Sequence, residues 1–316
     1  MKITILMYVL NGVDFLGEQL QSLFKQDICE KAEMDILVWD DGSTDKTRDL
    51  LDRYQREGKL TFHTGSGIGR TKGYWELMKK AEKADFYAFC EQDDVWFPNK
   101  LSRAVKYLET KAILEGEETE VSEGPILYCG ECTVTNAKLK TVNFKRNPAN
   151  KFTDFEHSLV YSSMPGCTYV FNRSALEKLI KFDPGVKENT SYEDLARNII
   201  YIEGSVVFDR VPVMFWRRNK GDKFSIEYQG GIIGRIKRQL DLMTGKNVKA
   251  KSRTAKALLA AFGENITEHD KKASLKQVAE YAENPVEKER LIQNPKFVTG
   301  SFDDKWFRTA VRTDRL

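Results

Sequence analysis

The sequence has no long uninterrupted run of apolar residues. The run nearest the N-terminus, residues 3–10, is shorter than the roughly 20 residues that a membrane-spanning helix needs, and no small-residue cleavage site follows it. The mean hydropathy is −0.50. We therefore expect a soluble or peripheral protein, and neither an integral membrane protein nor an N-terminal signal peptide.

Cysteine is scarce and the net charge is small. The five cysteines are odd in number and scattered, which is typical of reduced thiols in a cytoplasmic protein rather than of a disulfide framework. Cys129 and Cys132 have CxxC spacing but no second pair, so we interpret them as structural. Lys and Arg total 50 against 47 Asp and Glu, and a formal charge of +3 gives no indication of nucleic-acid binding.

Short apolar runs alternate with helix-period segments through the first third of the 316 residues. This alternation predicts βαβ units, a mostly parallel sheet and hence an α/β fold. With 41% hydrophobic residues the chain can bury a substantial core, which excludes disordered and fibrous classes. We predict strands over residues 3–8, 34–39, 60–63, 86–90, 126–135, 167–171, 206–208 and 213–216.

The C-terminal part has a different character, because strand signals fade from about residue 225 and helix formers with dispersed charge follow. We predict an α/β domain over residues 1–225 and a helical region over 226–316. Between residues 235 and 256, eight basic residues stand against one acidic residue. This stretch favours either an amphipathic helix on an anionic membrane surface or an appendage that packs on the first domain or forms a homodimer interface.

Two pairs of adjacent aspartates, Asp40-Asp41 and Asp93-Asp94, each follow a predicted strand. Ligands of open α/β sheets bind beyond the carboxyl ends of the strands, and adjacent carboxylates repel unless a cation or a donor-rich ligand offsets their charge. A nucleoside diphosphate with Mg²⁺ or Mn²⁺ is a suitable partner. The alternative is that the aspartates cap the helices that follow them.

A glycine-rich loop at residues 65–69 lacks both the GxxxxGK[ST] and the GxGxxG spacings, which disfavours an NTPase or a dehydrogenase. No glycine-rich basic loop follows the first strand, as a nucleotidyltransferase would require.

In their order and spacing, several motifs resemble family 2 of the inverting GT-A glycosyltransferases, particularly bacterial rhamnosyltransferase-like members that build surface polysaccharides. The resemblance covers about residues 1–225. The motifs that carry it are Asn11-Gly12, Trp39-Asp40-Asp41-Gly42-Ser43-Thr44-Asp45, the segment from Glu91-Gln92-Asp93-Asp94 to Lys100-Leu101, Pro165-Gly166-Cys167, Glu193-Asp194 and Trp216-Arg217-Arg218.

The resemblance implies a Rossmann-like nucleotide-binding sheet and a set of site residues. The implied roles are nucleotide binding for Asp40 and Asp41 with Arg70 as a minor candidate, metal binding for Asp93 and Glu91, donor-sugar contact for Asp94, and the base for Asp194 with Glu193 as its close rival. A base activates the acceptor hydroxyl, a cation stabilises the departing nucleoside diphosphate, and one in-line displacement inverts the anomeric centre.

Other candidates keep an alternative interpretation. Trp96 either lines the sugar pocket or packs beneath the loop. Arg217 and Arg218 either bind the diphosphate, which suits the planar guanidinium, or serve as surface charges. The carboxylates at 193 and 194 could also be a first-turn pair that the helix dipole favours.

Three positions depart from the family pattern. Glu91 stands where relatives commonly have an aspartate, and Asn219 follows the late strand where relatives often have a metal-binding histidine. We therefore expect weaker metal dependence than in those relatives. The first strand ends in Met7-Tyr8-Val9-Leu10 instead of small hydroxyl-bearing residues, which predicts an atypical nucleotide pocket.

From these observations we expect a hexosyltransferase that moves a sugar from dTDP-rhamnose or a UDP-hexose to a glycan or lipid-linked acceptor in surface polysaccharide or capsule synthesis. We expect it in the cytoplasm, either free or attached to the inner face of the plasma membrane. The alternative is a catalytically silent member that binds a sugar nucleotide or a partner protein.

Overall fold

A computed structural model describes residues 1–28, 32–114, 124–142, 154–161, 164–182, 191–218, 249–298 and 303–316. The strands are β1 (Lys2–Val9), β2 (Glu33–Asp40), β3 (Thr61–Thr64), β4 (Phe86–Glu91), β5 (Val95–Trp96), β6 (Ile126–Asn136), β7 (Tyr169–Asn172) and β8 (Ser205–Arg218). The helices are α1 (Val13–Leu23), α2 (Thr47–Arg56), α3 (Arg70–Lys80), α4 (Lys100–Leu114), α5 (Phe155–Val160), α6 (Arg173–Ile180), α7 (Tyr192–Glu203), α8 (Ala250–Phe262), α9 (His269–Glu280), α10 (Pro285–Gln293) and α11 (Asp303–Arg312).

The strands form one sheet in the order β3-β2-β1-β4-β7-β6-β8-β5. The first four are parallel, with Leu6 of β1 opposite Leu37 of β2 and Phe89 of β4. The near-continuous apolar runs of β1, β2 and β4 fit strands that are covered on both faces by crossover helices, whereas β3, at the edge of the sheet, has no buried residue. The predicted α/β fold is thus confirmed.

The other half of the sheet departs from the mostly parallel arrangement that we predicted. β7 pairs antiparallel with both β4 and β6, and β5 pairs antiparallel with β8. A buried strand reads as an apolar run in either direction, so the sequence pattern does not reveal its orientation. The two predicted late strands are one strand, β8, in which the buried Asp209 separates two apolar segments.

The chain divides into two compact units that are interleaved in sequence. The sheet unit comprises Met1–Thr141, Met164–Gly185 and Gly204–Arg217, and the helical unit comprises Val142–Ser163, Val186–Glu203 and Arg218–Leu316. The predicted boundary at residue 225 lies outside the described residues, as do the acidic segment 115–123 and most of the basic stretch at 235–256.

The helical unit has a core of its own, and the prediction of helices at the C-terminus is confirmed. Phe297 and Phe307 stack with ring centroids 5.9 Å apart, and Leu316 donates its backbone N–H to the hydroxyl of the buried Tyr281 over 2.8 Å. Ser252 of α8 donates to the carbonyl of Ala279 over 3.1 Å, which ties α8 to α9. Among the described residues, no helix is long and apolar enough to cross a membrane.

Candidate active site

The parallel strands bring the predicted nucleotide and metal residues to one edge of the sheet. In the β-sheet register Val9 lies opposite Asp40, and Tyr8 lies opposite Glu91. The carboxyl ends of β1, β2 and β4 are therefore neighbours, as expected for the ligand-binding edge of an α/β sheet.

Asp41 connects this edge to the glycine-rich loop. One carboxylate oxygen accepts from Trp39 Nε1 over 3.1 Å and from the Ile68 N–H over 3.0 Å. The other accepts from the Tyr8 hydroxyl over 2.9 Å and from the Gly69 N–H over 2.8 Å. Since both oxygens have two protein donors, the carboxylate of Asp41 fixes the loop that precedes α3.

Asp40 also has protein partners. It is fully buried, and its carboxylate accepts from the Ser43 N–H over 3.0 Å and from the guanidinium of Arg48, with N–O distances of 3.2 and 3.3 Å. The Ser43 contact closes a turn, and α2 begins only at Thr47, so Asp40 is not the cap of that helix that we gave as the alternative. The nucleotide-binding roles of Asp40 and Asp41 stay predictions.

The residue after β1, Leu10, is hydrogen-bonded to the residue after β4, Gln92. The side-chain amide of Gln92 donates to the Leu10 carbonyl over 3.0 Å and accepts from the Leu10 N–H over 2.8 Å. A side chain at Gly12 would collide with this amide, because an added Cβ would lie 2.4 Å from Gln92 Oε1. Any other residue at position 12 would therefore require the Gln92 side chain to move from its two hydrogen bonds with Leu10.

Glu91, Asp94 and Cys167 form a cluster at the end of β4, with ligand atoms that all lie within 4.8 Å of one another. Asp94 is fully buried. One of its oxygens accepts from the Arg217 N–H over 3.0 Å, while Oδ2 meets no donor at hydrogen-bonding distance among the described residues. Burial, and then the charges of Asp93 and Glu91, raise the pKa of Asp94 well above its usual range.

A divalent cation fits this cluster. The buried carboxylate oxygen without a donor is the group that a cation would satisfy, and carboxylate oxygens are the ligands that Mg²⁺ and Mn²⁺ prefer. Glu91 would supply the second oxygen, although its carboxylate also pairs with Arg70 at 3.1 Å. The cluster contains Asp94, which we predicted as a sugar contact, instead of the predicted ligand Asp93, which lies half-buried beside it.

A buried lysine lies beneath the cluster. Lys100 Nζ donates to the Cys167 carbonyl and sits 3.3 Å from the ring centroid of Trp96. Burial lowers the pKa of Lys100 to about 8. Trp96 itself is 2% exposed and belongs to the hydrophobic core, which favours the packing interpretation, while its contact with a donor sugar stays a prediction.

The two arginines that we considered for the diphosphate lie at the end of β8. The Arg217 guanidinium is buried, donates to the Ala137 carbonyl over 2.7 Å and to the Glu18 carboxylate, and stacks on Phe15 at 4.6 Å. The Arg217 guanidinium therefore has protein partners, and its role in diphosphate binding stays a prediction. Arg218 is half-buried at the last position of β8.

Asp194 and Glu193 lie in the first turn of α7, within the helical unit. Ser191 caps this helix, since its hydroxyl accepts from the Asp194 N–H over 3.2 Å. The Asp194 carboxylate is 10% exposed and pairs with Arg197 at 2.8 Å and with Lys251 of α8 at 2.7 Å. Glu193 is half-buried. Asp194 is thus not the exposed first-turn residue of the alternative interpretation.

Three residues in these surroundings were not predicted from the sequence. They are Cys167 in the acidic cluster, Lys100 beneath it, and Lys251 beside Asp194. Cys167 was part of a quoted motif without a role. Lys100 begins α4, where the helix dipole disfavours a cation, and that unfavourable position is a signal in the sequence. No sequence signal points to Lys251, because its partner Asp194 lies 57 residues away.

Comparison with known proteins gives a family match. The model of glycosyl transferase family 2 matches residues 4–180, which is more than half of the chain. The dTDP-rhamnosyl transferase RfbG of Shigella flexneri is 22% identical over 229 residues, or 67% of this chain and 71% of that protein.

Two solved structures resemble the whole chain. The structure of residues 1–349 of Staphylococcus aureus TarS in complex with UDP-GlcNAc superposes with a TM-score of 0.55 at 14% identity, covering 99% of this chain and 91% of that one. The mannosyltransferase PcManGT of Pyrobaculum calidifontis, in complex with GDP-Man and Mn²⁺, gives 0.51 at 14% identity, with coverages of 99% and 84%. At this level of identity the likeness shows the fold, which is GT-A.

Proposed function

This chain belongs to glycosyl transferase family 2, and we propose that it moves one sugar from a nucleoside diphosphate donor to a glycan or lipid-linked saccharide, with inversion at the anomeric carbon. The setting that we propose is bacterial surface polysaccharide synthesis. The observation that carries the proposal is the buried Asp94 oxygen without a protein donor among the described residues, next to Glu91 at the carboxyl edge of the sheet.

The sheet unit supplies the donor end of the reaction in this proposal. Asp41 holds the glycine-rich loop at the edge where the nucleotide would bind. Glu91 and Asp94, with Asp93 beside them, would hold a divalent cation. When bound, that cation supplies positive charge for the diphosphate as it leaves.

The helical unit supplies the base, for which we favour Asp194 over Glu193. Its carboxylate would accept the proton of the acceptor hydroxyl while that oxygen forms a bond to the anomeric carbon and the bond from this carbon to the diphosphate oxygen breaks. The nucleoside diphosphate departs with the electron pair of the broken bond. Two adjacent cations, Arg197 and Lys251, support an ionised carboxylate at position 194 that is ready to take the proton.

Among donors, we favour dTDP-rhamnose, because a relative that spans two thirds of this chain is a dTDP-rhamnosyl transferase. A UDP-hexose is the second candidate, since a TarS structure with the same fold contains UDP-GlcNAc.

Calorimetry with dTDP-, UDP- and GDP-sugars, with and without Mn²⁺ or Mg²⁺, tests the proposal. We expect one nucleotide class to bind in a metal-dependent manner, and Asp94→Asn to lose the metal dependence while it keeps the fold. Release of nucleoside diphosphate should require Asp194 and tolerate Glu193→Gln. Absence of binding across the panel would contradict the proposal and favour a catalytically silent protein that binds a partner.

A further inference from the structure

The Asp194 carboxylate lies between two cations that come from different helices of the helical unit. Arg197, one turn later on α7, donates from its guanidinium over 2.8 Å. Lys251, the second residue of α8, donates from Nζ to the other carboxylate oxygen over 2.7 Å. Each oxygen of Asp194 therefore has a charged donor.

Both cations are held by the protein rather than by solvent. Arg197 is fully buried, and its Nε donates to the Ser158 hydroxyl over 2.7 Å. Lys251 has 19% of its side chain exposed. It is followed by Ser252, which is buried and bonded to the Ala279 carbonyl of α9, so packing fixes the start of α8. The backbone from which the Lys251 side chain extends to Asp194 is thus fixed by the packing of α8 against α9.

Other charged groups on the neighbouring helix α5 have different partners. Glu156 pairs with Lys296 at 3.8 Å and accepts from the Ser274 hydroxyl over 2.9 Å. His157 Nδ1 lies 2.7 Å from a carboxylate oxygen of Asp154. The Asp194 carboxylate, by contrast, has charged partners in Arg197 and Lys251.

We infer that Lys251 is a positioning residue for the proposed base, and that the C-terminal helical region thereby takes part in sugar transfer. A carboxylate oxygen has two lone-pair directions. A charged donor on each oxygen fixes the plane of the carboxylate, and with it the direction from which the acceptor hydroxyl must approach. The inference rests on the proposed function, because it assigns Lys251 a task only if Asp194 acts as the base.

A pH profile separates this role from a merely structural one. An opposite charge within about 4–6 Å favours the ionised form of a carboxylate and lowers its pKa by about 1–3. Removing Lys251 should therefore raise the pH at which Asp194 loses its proton. We expect the acid limb of the rate profile to move to higher pH by about 1, and the rate on that limb to fall about tenfold at a given pH.

The experiment compares Lys251→Met, Lys251→Arg and Lys288→Met in the full chain. Lys288 is the matched control, because it pairs with Asp314 at 2.8 Å within the same unit at a similar exposure. The measurement is nucleoside diphosphate release from dTDP-rhamnose, or from the sugar nucleotide that the calorimetric panel selects, between about pH 5 and 9, together with thermal unfolding.

We expect K251M to shift the acid limb with an unchanged KM for the donor, K251R to restore the wild-type profile, and K288M to keep it. A wild-type profile in K251M would overturn the inference, as would equal shifts in K251M and K288M. The variant Asp194→Asn distinguishes failure of the proposed function from failure of the inference about Lys251. Full activity of Asp194→Asn would contradict the assignment of Asp194 as the base. If Asp194→Asn is inactive but K251M has the wild-type pH profile, only the role of Lys251 is contradicted.

Discussion

The carboxylate of Asp41 has a structural role that does not depend on a ligand. Four donors from β1, β2 and the glycine-rich loop converge on its two oxygens, and the residue is 2% exposed. A buried acceptor with this many donors is costly to change, because each donor left without a partner loses its hydrogen bond without regaining water. At the scale of the residue, a substitution of Asp41 should therefore disturb the conformation of the glycine-rich loop and lower the affinity for nucleotide at the same time.

Asp41→Asn tests this coupling. The new NH₂ group can face the Tyr8 hydroxyl, which can turn to accept, but it then leaves the Gly69 N–H without an acceptor. We expect a loss of about 1–3 kcal/mol in the free energy of unfolding and weaker nucleotide binding, measured by urea unfolding and calorimetry. Asp49→Asn, at an exposed position of α2, is the control and should change neither. Unchanged unfolding in the Asp41 variant would contradict the hydrogen-bond assignment.

Lys100 carries a cost in stability that depends on pH. Its pKa falls from 10.5 to about 8 on folding, because burial disfavours the ammonium. The folded state therefore binds fewer protons than the unfolded state between these values, and the stability contributed by this group rises as the pH increases from 8 to 10.5. Below about pH 8 the full penalty applies.

Lys100→Met should remove this penalty. We expect the variant to be more stable than the wild type at about pH 7 by about 1–3 kcal/mol, reduced by the lost contacts to Trp96 and the Cys167 carbonyl. The gain should shrink at about pH 10. Urea unfolding at both pH values measures it, and a gain that is equal at the two would contradict a lowered pKa for Lys100.

At the scale of the element, α3 lies against the residues that hold Asp41. An added Cβ at Gly73 would lie 2.7 Å from Tyr8 Cδ2 and 3.0 Å from Trp39 Cδ1, and both rings donate to Asp41. Glycine in a helix interior normally costs about 1 kcal/mol relative to alanine. Here it allows the close approach of the helix to the two strands that carry the site.

Gly73→Ala should therefore destabilise the protein in spite of its better helix propensity. Moving two buried rings costs about 1–3 kcal/mol, and nucleotide binding should weaken with it. Gly17→Ala in α1 is the matched control, since an added Cβ there meets nothing within 4 Å and should stabilise by about 0.5–1 kcal/mol. Thermal unfolding of both variants decides the question. Stabilisation of equal size in both would contradict the close approach at Gly73.

How much of the fold and the site could be predicted differs from element to element. The four parallel strands were predicted to within two residues at each end, and β1, β2 and β4 have continuous apolar runs. Strand β5 was missed because its two residues, Val95 and Trp96, carry no periodicity. Antiparallel pairing of β7 depends on contacts far along the chain. For the same reason the sequence indicated that position 94 matters, but not that it joins Cys167, far along the chain, in one cluster.

At the scale of the molecule, the interleaving of the two units changes how the C-terminal region is understood. The chain leaves the sheet unit twice before residue 204, and the helical unit therefore combines α5 and α7 with α8 to α11. The proposed base, Asp194, lies in the segment Val186–Glu203 of the helical unit, while its partner Lys251 lies in the C-terminal segment Arg218–Leu316. A C-terminal truncation would consequently affect the surroundings of Asp194 as well as the stability of the helices.

Residues 250–256 of the basic stretch lie in α8, where Ser252 and Ala255 are buried and Lys251 pairs with Asp194. The last prediction, on attachment of the whole protein to membranes, therefore concerns residues 235–248. If these residues form an amphipathic helix, each Lys or Arg near an anionic surface contributes about 1 kcal/mol to binding, and salt screens this attraction. We expect the full chain to float with vesicles that contain anionic lipid, to detach at high salt, and to ignore zwitterionic vesicles. The triple variant Arg235→Glu, Lys237→Glu, Arg238→Glu should stay unbound.

The triple variant Lys46→Glu, Lys80→Glu, Lys276→Glu makes the same charge change at exposed positions elsewhere and should still float. Equal loss in both variants would attribute the binding to net charge alone, and an absence of flotation in the wild type would leave the packing or dimer interpretation of this region.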